Sequence, residues 1–145
     1  MRFAYPLQKI VDLKANEKKQ AESSLSQAIS FLNEEERKRD ELSQAKLSLQ
    51  EQLTGENAEK LAVSEMMLIQ QYIDHLDDQI RKTGMSIVQA ERAVESRRQQ
   101  LTERMVDEKV WVKAREKAHS AHKERVEKQS QNQLDDLALA RRRNA

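Results

Sequence analysis

Along the first third of the chain, apolar and small residues recur at alternating steps of three and four: Ala4, Leu7 and Val11, then Ala21, Leu25, Ala28 and Leu32. After Glu35 and Arg39 the same phase resumes at Leu42, Leu49 and Leu53. Such a spacing keeps one stripe on one face of a helix and is the mark of helices packed along their length. Pro6 suits a first helical position, where its missing N–H costs nothing. The stripe stops before Thr54-Gly55-Glu56-Asn57, and Gly55 is expected to close the helix in the left-handed conformation. A second stripe runs through Ile69, Ile73, Leu76, Ile80, Thr83, Ile87, Ala90 and Val94 to Leu101, with Arg97 between. Ser64 stands just ahead of it as an N-cap. Ser86-x-x-Gln89, after Gly84, resembles a capping box, but the stripe crosses residues 80–87 in phase. One continuous helix is predicted, with a weak point at Gly84.

Two stripes joined by a short loop can bury themselves only against each other. The expected fold is therefore all-α, a long antiparallel two-helix coiled coil. It is read as a single hairpin over 1–145, with helix 1 at about 4–53, a loop at about 54–63 and helix 2 at about 64–140. The first helix, about fifty residues at 1.5 Å rise, would be roughly 75 Å long. Folding about the loop brings Leu42 near Leu76, Leu32 near Ile87, and Leu7 near Trp111. The single Trp then seals the open end beside Phe3, Leu7 and Ile10, and the second helix overhangs from about residue 118.

Composition agrees with this picture and narrows the function. Charged residues make up 35% of the chain and aromatic ones 3%, too polar a mixture for a compact globular core. Two Gly and one Pro leave little to punctuate strands, while Lys, Glu, Gln, Arg, Ala and Leu all propagate helix. The sustained periodicity argues against disorder. Cysteine is absent, which removes disulfides and thiolate metal sites and suits a reducing compartment. No apolar run exceeds four residues, as in Met66 to Ile69, so neither a secretory signal nor a membrane span is expected.

The net charge of +1 conceals a polarity. Residues 54–79 hold six acids against Lys60 alone, whereas the first twenty residues hold five bases against two acids, and residues 112–145 nine bases against five acids. A helical pair with an acidic turn end and a basic open end is suited to touching two unlike partners.

Chemistry is sparse. No glycine-rich phosphate loop is present, so nucleotide binding and hydrolysis are not expected, and no cofactor is read. His119 and His122 lie three apart on one helical face near Glu108, Arg115 and Glu116, but a metal site needs further convergent ligands, so they read as solvated surface residues, as does His75. Glu35, Arg39, Arg97 and Arg104 interrupt the seams, either as a hinge or ion network or as snorkelling side chains. Arg141-Arg142-Arg143 reads as a frayed basic terminus, and without interleaved aromatics nucleic-acid binding is not expected. Beside the seam, Tyr72, Leu76, Gln79 and Thr83 form a second row that Leu42, Ala45 and Leu49 flank. It either anchors a partner or widens the core stripe.

The opening Phe3-x-Tyr5-Pro6-Leu7-Gln8-Lys9-Ile10 with Leu13-Lys14 resembles the start of the flagellar type III export family FliJ. Ser64-Glu65-Met66-Met67, Gln70-Gln71-Tyr72-Ile73 and Leu76-Asp77 are similar to its central stretch, and Ala114-Arg115-Glu116-Lys117 and Leu134-Asp135-Asp136-Leu137-Ala138 to its C-terminal pattern. Their order along the whole chain gives the resemblance its weight. It implies an antiparallel two-helix coiled coil resembling the stalk of rotary ATPases, with no enzymatic activity and no small-molecule substrate. It further implies binding to the ring of the flagellar export ATPase, to the cytoplasmic domain of the export gate and to export chaperones, in the cytoplasm at the inner-membrane base of the flagellum. On this resemblance Leu42, Ala45, Leu49, Tyr72, Leu76 and Gln79 carry the gate contact. Ala45 is smaller and Gln79 more polar than the bulky residues usual there. Phe3, Leu7, Lys9, Trp111, Arg115, Arg125, Leu134 and Leu137 would mark the ATPase-ring end. A generic coiled-coil scaffold, or a chaperone escort of a virulence-type secretion system, shares the periodicity; Tyr5-Pro6-Leu7-Gln8 favours the flagellar branch.

Overall fold

A computed structural model describes residues 2–144. The fold is all-α, a helical hairpin of two long helices packed against each other. The first, α1, spans Gln8–Thr54, and the second, α2, spans Val63–Arg143; a single 3₁₀ turn, Ala58–Lys60, lies in the connection.

Local chemistry sets the helix ends. Gln8 N–H donates to the Tyr5 carbonyl at 3.1 Å, which makes a turn with Pro6 at its second position. The proline also disfavours helical backbone at Tyr5, so α1 starts at Gln8 instead of near residue 4. At the other end, Gly55 N–H donates to the Glu51 carbonyl at 2.7 Å. No described glycine has positive φ, so Gly55 does not take the left-handed conformation. Its role is close approach: a Cβ there would lie 2.6 Å from the Glu51 carbonyl oxygen. Ser64 is not the N-cap of α2, because the helix begins one residue before it and the Ala62 carbonyl already accepts from Met66 N–H at 3.0 Å. α2 passes Gly84 without a break.

The chain divides into two compact units. In the unit Glu22–Gln100, α2 buries Ile73, Leu76, Thr83, Ile87, Ala90 and Val94. These fall at steps of three, four and seven, which is the seam predicted. The facing stripe of α1 is only half-buried at Leu25, Ala28, Leu32, Leu42, Leu49 and Leu53. Glu35, Arg39 and Lys46 occupy the remaining positions of that stripe and are also half-buried. Lys46 Nζ reaches Asp77 Oδ1 at 2.5 Å across the pair.

That ion pair fixes the register. Folding symmetrically about the loop would set Lys46 near Tyr72; it meets Asp77, about one turn further along. Counting back along the antiparallel pair, Thr54 faces about residue 69. The opening turns of α2 therefore project past the end of α1. Val63, Met67 and Leu68 are accordingly 74%, 60% and 66% exposed.

The other unit is Met1–Ala21 with Leu101–Ala145. Its apolar contribution is thin: Val11 is buried, and Phe3, Ile10, Leu101, Trp111, Val112 and Ala118 are half-buried. Charge occupies the seam between them. Lys14 Nζ lies 2.8 Å from Asp107 Oδ2 and 3.5 Å from Glu17 Oε2, Arg104 Nη1 lies 3.2 Å from Glu17 Oε2, and Lys18 Nζ lies 3.6 Å from Glu108 Oε2. Three bases meet three acids, so the ladder is neutral. Leu7 near Trp111 would have placed Lys14 beside Arg104, and here too the register has advanced about one turn. Val126 is the last half-buried residue, and residues 127–144 are exposed on every face.

Candidate interaction surfaces

The gate-face residues of the sequence reading all lie in the unit Glu22–Gln100. Tyr72 is 54% exposed, and its ring lies 6.2 Å from that of His75. Ala45 and Gln79 are exposed, while Leu42 and Leu49 are half-buried. Leu76 sits apart from these: at 3% exposure it belongs to the core and holds the two helices together rather than facing outward. The row Tyr72–Gln79 is thus the rim of the seam, with Leu76 beneath it. A separate open groove, which Tyr72, Ala45 and Gln79 do not line, runs between Lys46, Gln50 and Leu53 of α1 and Gln70, Ile73 and Asp77 of α2.

Leu68 escaped the sequence reading. It lies four residues before Tyr72 on the same row and exposes more of itself than Tyr72 does. The spacing was visible, but only the register shows that nothing on α1 reaches it. Leu47, on α1 and 56% exposed, was not singled out either.

The residues named for the ring end do not converge on one surface. Phe3, ahead of α1, and Trp111, on α2, are half-buried, whereas Leu7, Lys9, Arg115 and Arg125 are exposed. Leu134 and Leu137, 61% and 62% exposed, stand on the bare part of α2. The rings that meet Phe3 are those of His119, edge-on at 4.8 Å, His122 at 5.4 Å and Tyr5 at 6.3 Å. Trp111 is not among these partners. His122 is half-buried, and its Nε2 is enclosed with no hydrogen-bond partner among the described residues, so it is no solvated surface histidine. A shallow groove beside this cluster is lined by Phe3, Arg115, Glu116, His119 and Ser120.

Electrostatics follow the ion pairs. The hydrogen bond to Asp107 raises the Lys14 amine above its ordinary value. Lys82, then Arg81, hold the Asp78 carboxyl below its ordinary value, and Arg37 does the same for Glu34. In the connection Glu56 and Glu59, and in the first turn of α2 Glu65, are exposed and form no salt bridge among the described residues. No group of three or more His, Asp or Glu among the described residues is placed to hold a metal ion. Among them, too, no helix is long and apolar enough to cross a membrane.

A family model described as "Flagellar FliJ protein" matches residues 3–145. A Bacillus subtilis (strain 168) protein named "Flagellar FliJ protein" is 26% identical over 145 residues, covering 96% of this chain and 95% of its own length. No solved structure matches the chain.

Proposed function

The chain belongs to the flagellar FliJ protein family, and from that premise we propose that it is a non-enzymatic stalk and adaptor. Membership itself gives the coarser role, in flagellar protein export. In the finer reading, Tyr72 with Ala45, Gln79 and the outer edges of Leu42 and Leu49 meets the cytoplasmic domain of the export gate. Leu76 supports that face from below. Residues of the unit containing Phe3 and Trp111, with Arg115, Arg125, Leu134 and Leu137 outward, enter the ring of the export ATPase. Export chaperones are a third class of partner, and the working place is the cytoplasmic side of the inner-membrane base of the flagellum.

The observation that carries this reading is that the two named surfaces keep large apolar side chains in water on regular helix: Tyr72 in one unit, Leu134 and Leu137 in the other. Exposed aromatic and aliphatic side chains of this kind can serve a partner as anchors. A stiff helical element inside a ring can bind the ring's conformational states unequally, and so bias its assembly or turnover without performing chemistry.

The test is a pull-down of purified chain against the export ATPase and the gate's cytoplasmic domain, beside a Tyr72→Ala, Ala45→Glu double variant. Both side chains are exposed, so helix content should not change. The expected outcome is that the unaltered chain binds both partners, while the variant still binds the ATPase and no longer binds the gate. Binding to neither at low salt, with helicity intact, overturns the proposal.

A further inference from the structure

In the unit Met1–Ala21 with Leu101–Ala145, the outer side of α2 carries a surface that the stalk reading does not use. Val106 and Val110 stand four residues apart and are 58% and 60% exposed. Lys109, Lys113 and Lys117, all exposed, lie beside and beyond them. At 3.6 residues per turn these five side chains fall within about 100° around the helix axis, so they form one face. The half-buried Leu101, Trp111 and Ala118 lie on the other side of the helix, as does Arg115, which was named for the ring end. Two β-branched residues at a four-residue step repeat the pattern of a helix-packing seam, with lysines where flanking charges select the partner. Both valines are nevertheless in water.

The charge of the face names its complement. Arg104, Asp107 and Glu108, in the same turns, are engaged by Glu17, Lys14 and Lys18 of α1. Lys109, Lys113 and Lys117 form no salt bridge among the described residues, and Glu116 alone borders their row within its span. The face is therefore net positive and favours an acidic ligand. A helix that binds a bilayer surface sets Trp, Phe or Leu on its apolar side. Here the largest apolar side chains are two valines, and Glu103 and Glu124 at the two ends of the row oppose an anionic membrane. We propose that this face docks an acidic amphipathic helix of a partner protein, whose apolar stripe lies along Val106 and Val110 while its Asp or Glu side chains meet Lys109, Lys113 and Lys117. Helix-on-helix docking reads anchors at steps of three and four, which is the spacing of this row.

The probe is a fluorescein-labelled 14-residue peptide of leucine, alanine and glutamate patterned as an amphipathic helix, titrated with the full chain. The same peptide with glutamine in place of each glutamate is the control. The acidic peptide should bind one per chain, about ten-fold tighter than the control, and weaken several-fold between 50 and 500 mM salt. Val106→Ser with Val110→Ser should lower its affinity about ten-fold, whereas Met85→Ser with Val88→Ser, exposed in the other unit, should leave it unchanged. Lys109→Glu, Lys113→Glu and Lys117→Glu together should abolish binding of the acidic peptide. A lysine version of the peptide should bind that triple variant more tightly than it binds the unaltered chain. Every replaced side chain is exposed, so circular dichroism should show unchanged helix content. Lys109→Gln, Lys113→Gln and Lys117→Gln, which add no like charges along the helix, should lower the affinity as well. Equal binding to the acidic and neutral peptides, equal loss in the two serine variants, or more than one acidic peptide per chain overturns the proposal. Sedimentation with phosphatidylglycerol vesicles that the Val106→Ser, Val110→Ser pair abolishes, in the absence of peptide binding, would assign the face to a membrane surface. Concentration-dependent self-association abolished by the same pair would assign it to a second copy, and either result overturns the proposal as well.

Discussion

The two glycines do opposite things, and substitution separates them. At Gly55 the amide bonds the Glu51 carbonyl so closely that a Cβ would sit 2.6 Å from that oxygen, which no side chain tolerates. Gly55→Ala must shift the end of α1, and should destabilise by about 1–2 kcal/mol. Gly84 has nothing within 4 Å of its would-be Cβ and lies inside α2. Gly84→Ala should therefore stabilise by about 0.5–1 kcal/mol, because alanine restrains the unfolded chain and favours helix. Urea denaturation of both variants reads the two signs, and a stabilising Gly55→Ala would refute the close-approach account. At this scale the sequence marked Gly55 as an ending and Gly84 as a weak point. It did not reveal that the first is a matter of contact distance rather than of φ. His122 is a comparable case: the lack of further convergent ligands made it read as a solvated surface residue, and only the irregular segment around Phe3 folding onto α2 encloses it.

At the scale of the element, the seam of α2 was legible residue by residue from Ile73 to Val94, because burial there repeats the hydrophobic period. The seam of α1 was legible only where it is apolar. Lys14, Lys18 and Lys46 continue its phase, and a reading keyed to hydrophobicity steps over them. The register was missed for a different reason: the 3₁₀ turn makes the connection asymmetric, and a one-turn offset leaves no trace in either stripe. The lysines predict how the open end responds to conditions. Lys14 gains a partner on folding and its amine is raised, so its contribution is complete below the ordinary lysine value and is lost as pH climbs through the raised one. Asp78 and Glu34 are lowered, so theirs is present above the ordinary carboxylate range and is lost as pH falls through the depressed values. Helicity should be flat from about pH 5 to 9, with the alkaline loss, above about pH 10, confined to the unit containing Lys14. Lys14→Asp should destabilise that unit, and Lys14→Asp with Asp107→Lys should recover most of the loss. Equal melts for the single and double variants would mean that the 2.8 Å pair contributes nothing.

At the scale of the whole molecule, the two units differ in what holds them, and this orders their stability. Glu22–Gln100 is held by six buried side chains of α2, whereas the other unit has Val11 and a neutral ion ladder. Partly exposed ion pairs contribute little beside apolar burial, and salt screens them. Amide exchange should accordingly be slowest at 73–94, faster at 101–126 and fastest at 127–144. Raising NaCl from 50 mM to 1 M should speed the middle group without affecting the first. Family and hairpin were legible from the chain, because order and period survive without coordinates. Which apolar residues stay in water was not, because a row such as Leu68, Tyr72 and Leu76 drifts around the helix, and only the packing shows that Leu76 lies inside the seam and Leu68 outside it. The bare end of α2 makes the separation of folding from function testable. No residue in 127–144 is buried, so deleting 127–145 should leave the melting temperature and the exchange of 73–94 unchanged. If Leu134, Leu137 and the terminal arginines engage the ATPase ring, the same deletion should weaken that binding at least ten-fold while gate binding persists. A truncated chain that binds the ring as tightly as the full one would move the ring-binding surface onto Phe3, Trp111 and Arg115.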